Sequence, residues 1–365
     1  MVDQRFNAND LSHFAEAVFE HMGCSKPHAQ QAAAVLIAAD LRGIDSHGLA
    51  RLSGYVRLSE VGRVNTKPSI KTIHETLSTA TLDGDSGLGL VVAPQAMKLA
   101  IEKAKAVGTG WVAVQNSNHF GIAGYHALLA VEDDMIGICT TNASALVAPT
   151  YSTERLLGTN PICVAVPAGE EPPFVADLAT TTAANGKLEI LQRRGEAIPE
   201  GWVQTKNGAP STDAHELKKG GALLPLGSSK DRGSHKGYAL GAVVDILSGV
   251  LSGANYGPWV PPFPAYVPMP QNQPGKGIGH FFGAMRIDAF RPAYAFKKDM
   301  DAWIQRFRNA ATINGINAVL IPGDPERTAE AERTQHGIPL VQPVIEDLQH
   351  LAGHMSLRFP QPLGQ

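Results

Sequence analysis

Residues 46 to 55 read SHGLARLSGY. On a helix His47, Arg51 and Tyr55 fall at i, i+4 and i+8, and since each four-residue step advances the helix face by only about 40°, the three share one stripe. A proton carrier, a fixed cation and a phenol then face one ligand. Guanidinium suits a carboxylate, which it grips through two parallel hydrogen bonds, and Ser46 can cap the helix start while facing the same ligand. Taken alone, the stripe also reads as a solvated polar face. A second histidine, His119 in NSNHFGIAGYH, follows an apolar strand and precedes a glycine-rich helix start, a position that commonly lines a cleft. No metal site is indicated: His119 and His126 are seven residues apart, with neither an HExxH pattern nor a cysteine and carboxylate set beside them.

A third feature is GSHKGYALGAVV at 233 to 244. Its glycines let backbone approach a ligand, the helix that follows presents free amides, and Lys236 adds a point charge, which together suit a phosphate. It is not a Walker loop, and nowhere does GxGxxG join a strand to a helix; GLG at 87 to 89 lacks the third glycine. A dinucleotide bound here is held without the Rossmann fingerprint.

The elements that must position these groups are legible as patterns. Leu11, Phe14, Val18 and Met22 recur at helical spacing behind Asn9 and Asp10; a second helix starts near Ser25 and stops at Gly43, and a third runs from Ser46 to Gly62. SIKTIHE and TATLDGD read as strands before a helix from Leu90 to Val107. WVAVQNS, IGICTTN, PICVAVP and PFVADLA read as buried strands, with helices over Ala123 to Val131 and Ala183 to Arg193. Asn207 to Arg232 is polar and turn-rich, and a long apolar helix opens at SHKGYALG. The stretch GPWVPPFPAYVPMPQNQPGKG can be neither helix nor central strand, so it forms a structured loop or arm. GHFFGAMRID reads as a strand, Met300 to Arg308 as a helix, AVLIPG as a strand, and two helices close the chain.

With 365 residues the chain exceeds the roughly 250 to 300 at which one core usually stops growing, so two or three packed domains are expected. A hydrophobic fraction of 44% and a charged fraction of 18% suit a compact globule rather than a disordered chain. Net charge is −3 and no basic run exceeds the pairs Lys218-Lys219 and Arg193-Arg194, which argues against nucleic acid and anionic membrane as partners. The start MVDQRFNAND has no apolar core, and the run Ala32 to Ala39 falls well short of the ~20 residues a membrane span needs, so a cytoplasmic protein is expected. Cys24, Cys139 and Cys163 are odd in number and widely spaced, which reads as plain buried thiols.

Taken in order, DLRGIDSHGLARLSGY, DGDSGLG, SNHFG, LLGTNPICVAVP, ADLATTTAANGK, GWVQTKNGAPSTD, HKGYALGAVVDILSGVLSGA, GHFFGAMRID and IPGDPE resemble the type 2 malate/L-lactate dehydrogenase family, from about Leu11 to Arg358. That family includes ureidoglycolate, sulfolactate and diketogulonate oxidoreductases and cyclic-ketimine reductases. The resemblance implies a homodimer, a mixed α/β fold of the α+β kind with a mostly antiparallel sheet, a non-Rossmann NAD or NADP site, and an active site near the subunit interface. It implies an N-terminal helical substrate-binding segment at 1–75, a central cofactor-binding segment at 76–310, and a C-terminal segment at 311–365 that packs back on the first. Ser46, Arg51 and Tyr55 would bind substrate and His119 and His47 would move the proton. Ser144, Asp177, Leu178, Ala179, Thr180, His235, Lys236, Gly323 and Asp324 would hold the cofactor. Where many relatives carry a Gly-Gly pair after the proline of the APT segment, this chain reads APTYSTERLLGTNP.

The expected activity is hydride exchange between nicotinamide and C2 of a small 2-hydroxy or 2-oxo acid of the malate or lactate kind, with no metal. A cyclic-ketimine reductase is the alternative within the family. A histidine-dependent hydrolase lacks a G-x-S-x-G elbow, and an inactive binding protein would have no use for both histidines and Arg51. His47, in the first turn of its helix, is expected to stay neutral and orient the C2 oxygen, and His119 is expected to be the main acid and base.

Overall fold

The computed structural model describes residues 4–364; residues 1–3 and 365 of the expected terminal segments lie outside it, as do the side chains of Arg193 and Arg194. The chain opens with β1 (Gln4–Phe6), α1 (Ala8–His21) and α2 (Lys26–Leu41). Asn7, rather than the expected Asn9-Asp10 pair, caps α1, accepting from the amides of Asn9 at 2.9 Å and Asp10 at 3.3 Å. It satisfies donors that a helix start leaves open.

The helix expected from Ser46 to Gly62 is broken. Asp45–His47 and Leu49–Arg51 are separate 3-10 turns, and α3 spans only Leu52–Glu60. The cause is Asp40 on α2, whose Oδ2 accepts the Leu49 amide at 2.8 Å and so takes a donor that a continuous helix would pair with Asp45. Gly48 lies against that carboxylate so closely that a β-carbon would overlap it.

Next come β2 (Lys71–Glu75), β3 (Thr79–Asp83), α4 (Gly89–Val107), β4 (Thr109–Ser117), α5 (Ala123–Val131), β5 (Met135–Thr141), β6 (Ile162–Val166), β7 (Phe174–Leu178) and α6 (Asn185–Arg194). The short strands β8 (Val203–Gln204), β9 (Pro210–Ser211) and β10 (Ala222–Leu223) follow, then α7 (Ser234–Asp245), β11 (Ile278–Arg286), α8 (Ala293–Arg308), α9 (Asp324–His336), β12 (Ile338–Leu340) and α10 (Gln342–His354). The apolar helix expected to run on past α7 turns into a π segment over Ile246–Val250, where the Leu251 amide reaches back to Ile246. AVLIPG is not a strand: its Pro322 carbonyl accepts from the Val175 amide at 3.0 Å at the edge of β7, but no ladder forms.

One seven-stranded sheet has the order β2-β3-β4-β11-β5-β6-β7. Every pairing in it is antiparallel except that of β3 with β4. β11 sits in the centre, paired on both edges by β4 and β5, and its Phe282 and Ala284 are inaccessible in the core beneath α4 and α5. α4 and α5 cover the sheet in one apolar core that includes Met97, Ala127 and Cys139. A second core joins the chain ends: Phe6, Leu11 and Leu52 pack with Ile338, Leu348 and Phe359, and β1 pairs with β12. The third core, around Val147, Leu188 and Leu223, carries the small sheet β10-β8-β9. Its strands of two residues are too short to show a period in sequence. Among the described residues no helix is long and apolar enough to cross a membrane.

Candidate active site

His119 leaves the end of β4 on a held backbone. Asn118 Nδ2 donates to the carbonyls of Ser86 at 2.8 Å and Gly87 at 3.0 Å, which ties the strand end to the loop before α4. Gly89 lies beneath, where a β-carbon would overlap the Asn118 carbonyl. The glycines of DGDSGLG thus serve close packing at the strand end. From the opposite side the broken turn brings His47, its ring against that of His119 with centroids 5.5 Å apart and planes 24° apart.

Each imidazole has one nitrogen occupied by a neighbour. Ser46 Oγ shares a hydrogen bond with His47 Nδ1 at 2.9 Å, and Tyr55 Oη shares one with His119 Nδ1 at 2.6 Å. Nε2 of each ring is the nitrogen left for a ligand. Tyr55, expected to face substrate, is fully buried and stands behind His119. Arg51 Nε donates to the Ser46 carbonyl at 2.6 Å, which anchors the guanidinium beside both rings.

Both imidazoles are held neutral. Burial pushes His47 down to about 4, with the Arg51 guanidinium adding to it. His119 is pushed well below the ordinary histidine value by burial first, then by His47, Arg51 and His280. His47 is neutral as expected, but through burial and Arg51 rather than an α-helix start, since Asp45–His47 is only a 3-10 turn, and His119 carries the same kind of penalty. His126 is a structural residue, fully buried, whose Nε2–H donates to the Phe120 carbonyl at 2.8 Å.

The residues expected at a cofactor divide into two sets. Asp177, Leu178, Ala179 and Thr180 lie at the end of β7, and α7 packs beside them through two glycines: Gly241 against Thr180 and Gly237 against Leu226, whose amide bonds the Thr180 carbonyl at 3.0 Å. His235 and Lys236 are exposed on the first turn of α7, and Leu178 is exposed at the strand end. A half-exposed leucine, a lysine and a helix start on neighbouring elements could hold a group carrying rings and phosphates. Fewer amides are free than the sequence suggests, because the amide of Ser234 bonds Ser229 and that of Lys236 bonds Gly233.

Asp177, despite its place at that strand end, and the second set are engaged within the protein. Asp177 Oδ2 accepts the Gly124 amide at 2.6 Å at the start of α5, and burial raises its carboxyl to about 6. Asp324 pairs with Arg327 and Arg308 and accepts the Ile321 amide at 2.8 Å, while Gly323 rests on Val175. Ser144 Oγ donates to the Pro261 carbonyl at 3.3 Å and accepts the Phe263 amide at 3.2 Å.

Two residues of the site were not singled out from sequence. Asp40 shapes the turn, and its only signal was a carboxylate at the end of the apolar run of α2. Phe263, in the Pro-rich segment, lies over the site with its ring centroid 4.9 Å from that of His119 and 5.3 Å from that of Tyr55. A lone aromatic between prolines in PPFP was the trace it left.

Two neutral imidazoles beside a guanidinium, under an aromatic ring, form the equipment of an enzyme that grips a carboxylate and moves a proton next to it. Residues 6–349 match the family described as malate/L-lactate dehydrogenase. A malate dehydrogenase of Pyrococcus abyssi is 42% identical over 97% of this chain and 96% of its own. A malate/(S)-sulfolactate dehydrogenase of Methanothermus fervidus is 38% identical over 94% of this chain and 95% of its own. The solved malate dehydrogenase of Pyrococcus horikoshii superposes with a TM-score of 0.89 at 39% identity, covering 98% of both chains. The chain belongs to the malate/L-lactate dehydrogenase family. It is therefore an oxidoreductase, and membership implies a nicotinamide cofactor.

Proposed function

We propose that this enzyme exchanges a hydride between NAD or NADP and C2 of a small 2-hydroxy or 2-oxo acid of the malate or lactate kind. The observation that carries the reading is the convergence of His119, backed by Tyr55, with His47 and Arg51. Arg51 takes the substrate carboxylate in a two-point grip. That carboxylate neutralises the charge which helps hold both imidazoles below their ordinary range, so His119 becomes a better base once substrate is bound. His119 Nε2 then accepts the proton of the C2 hydroxyl in oxidation and returns it in reduction, and His47 orients the same oxygen. The bound nicotinamide supplies or takes the hydride. Thr180 and its neighbours, with His235 and Lys236, hold the dinucleotide at the end of β7.

The reading extends to the assembly. We propose a homodimer through α7 and its π continuation, which expose Val243, Ile246, Val250 and Leu251 as an apolar row. We also propose the division at residues 75 and 310 into substrate-binding, cofactor-binding and returning segments, a reading favoured by the core that joins both chain ends.

The test is to follow the reduced-nicotinamide absorbance band while offering oxaloacetate, pyruvate and a cyclic imine with each of the two cofactors. Consumption with a 2-oxo acid is expected. Loss of signal with the imine alone, or with none of the three, sinks the reading.

A further inference from the structure

We propose that Phe263 is the specificity-determining wall of the substrate pocket and that it limits substrates by the bulk of the group carried on C2 beyond the carboxylate and the oxygen. The inference rests on the roles proposed above for Arg51 and His119. Phe263 touches both: its ring is 4.9 Å from the His119 ring, and the Arg51 guanidinium carbon stands 5.7 Å from its centroid. If Arg51 holds C1 and His119 holds the C2 oxygen, a ring in contact with both bounds the space left for the third substituent.

The wall is held firmly. The segment from Gly257 to Lys276 is a loop whose ends meet, since Asn255 accepts the Gly275 amide at 3.1 Å and donates to the Gly277 carbonyl at 3.1 Å. Asp245 fixes the outgoing end by accepting the Gly257 amide at 2.7 Å. The prolines of PPFP have no N–H with which to pair as a strand, so the limb is fastened from outside. Ser144 binds it at Pro261 and at the Phe263 amide, and Arg63 donates to the carbonyls of Pro262 and Pro264. On the other side Gly54 of α3 makes room for the ring: a β-carbon there would come within 2.6 Å of Phe263 Cε1. The far end of the loop is free of such ties, with Tyr266 86% exposed. Phe263 thus sits on the anchored limb, where its position is set by Ser144, Arg63 and α3. A guanidinium under an aromatic face is also held to a defined plane, which suits the carboxylate grip.

The test compares Phe263→Ala and Phe263→Trp with the parent enzyme by the ratio of kcat/KM for phenylpyruvate to that for pyruvate. The ratio is internal to each protein, so a general loss of activity or stability does not move it. Phe263→Ala is expected to raise the ratio by about tenfold or more, the scale on which apolar pockets discriminate by size, and Phe263→Trp to lower it. If Phe263→Ala fails to fold, Phe263→Leu replaces it with the same expected direction. Calorimetric titration of both acids, with and without reduced dinucleotide, reads the wall apart from turnover. Unchanged ratios in both variants with turnover intact overturn the wall and spare the proposed function. Size-dependent binding that shifts between variants, without any hydride transfer, upholds the wall and overturns the proposed function.

Discussion

Two imidazoles stand beside one guanidinium, and what distinguishes them is the group behind each ring. Tyr55 behind His119 is buried and its phenol is pushed up, so it stays protonated and can serve Nδ1 as donor or acceptor while Nε2 gains and loses a proton. Ser46 behind His47 is only half buried, in a turn whose carbonyl also holds Arg51, so it backs its ring less exclusively than Tyr55 does. This favours His119 as the acid and base. The neutral ring is the active form in oxidation, and its folded-state value is depressed, so kcat/KM should fall only as pH drops through a limb below the ordinary histidine value of 6.5. In kcat the same limb should lie higher, because bound carboxylate offsets Arg51. His119→Ala should lose about 10² to 10⁴ in kcat together with the limb, whereas His47→Ala should slow turnover and keep it. A limb that survives in His119→Ala and vanishes in His47→Ala exchanges the two roles.

At the scale of elements, the turn from Ile44 to Arg51 is set by one buried carboxyl. Asp40 is 1% exposed, and burial pushes it up to about 8, reinforced by Asp45 and opposed by the Leu49 amide and Arg333. Between about pH 4 and 8 the folded protein keeps this proton while the unfolded chain releases it, so the group's contribution to stability declines as pH rises through that window. Asn at this position keeps an acceptor for Leu49 and removes the titration. The Tm of Asp40→Asn minus that of the parent should therefore increase from pH 4.5 to 8.5. A flat difference would show that the carboxyl is not protonated in the folded protein. Asp40→Ala should instead cost about 1 to 3 kcal/mol, because the Leu49 amide loses its partner inside the fold.

For the whole molecule, the telling surface is the outer face of α7, which is apolar and exposed. Val243 and Ile246 are 50% and 53% exposed on a helix whose inner face packs through Gly237 and Gly241 against the strand end that bears Thr180. A second copy on this face would place the subunit contact next to the residues proposed to hold the cofactor. Light scattering should give a dimer for the parent protein and a monomer for Val243→Asp combined with Ile246→Asp. A monomeric parent removes the dimer from the account, and a dimeric double variant moves the contact away from α7.

Local pattern was enough for much of the fold. The bounds of α5, Ala123 to Val131, and the strands from β4 to β7 follow from apolar runs and helical period, which act within a few residues. The side chains proposed to react were also legible as candidates, because His47, Arg51 and His119 are chemically distinctive wherever they lie. Their arrangement was not. Tyr55 meets His119 across 64 residues of chain and Ser144 meets Phe263 across 119, contacts that arise only when separate elements pack. The same holds for the break at Gly48, where local propensity favours one helix and a buried carboxyl from α2 takes the amide that helix needed. Sequence by itself determined which groups could do the chemistry. Tertiary structure decided which nitrogen each imidazole offers, how the guanidinium is held and what closes the pocket, because burial and hydrogen bonding between distant segments are properties of packing rather than of neighbours along the chain.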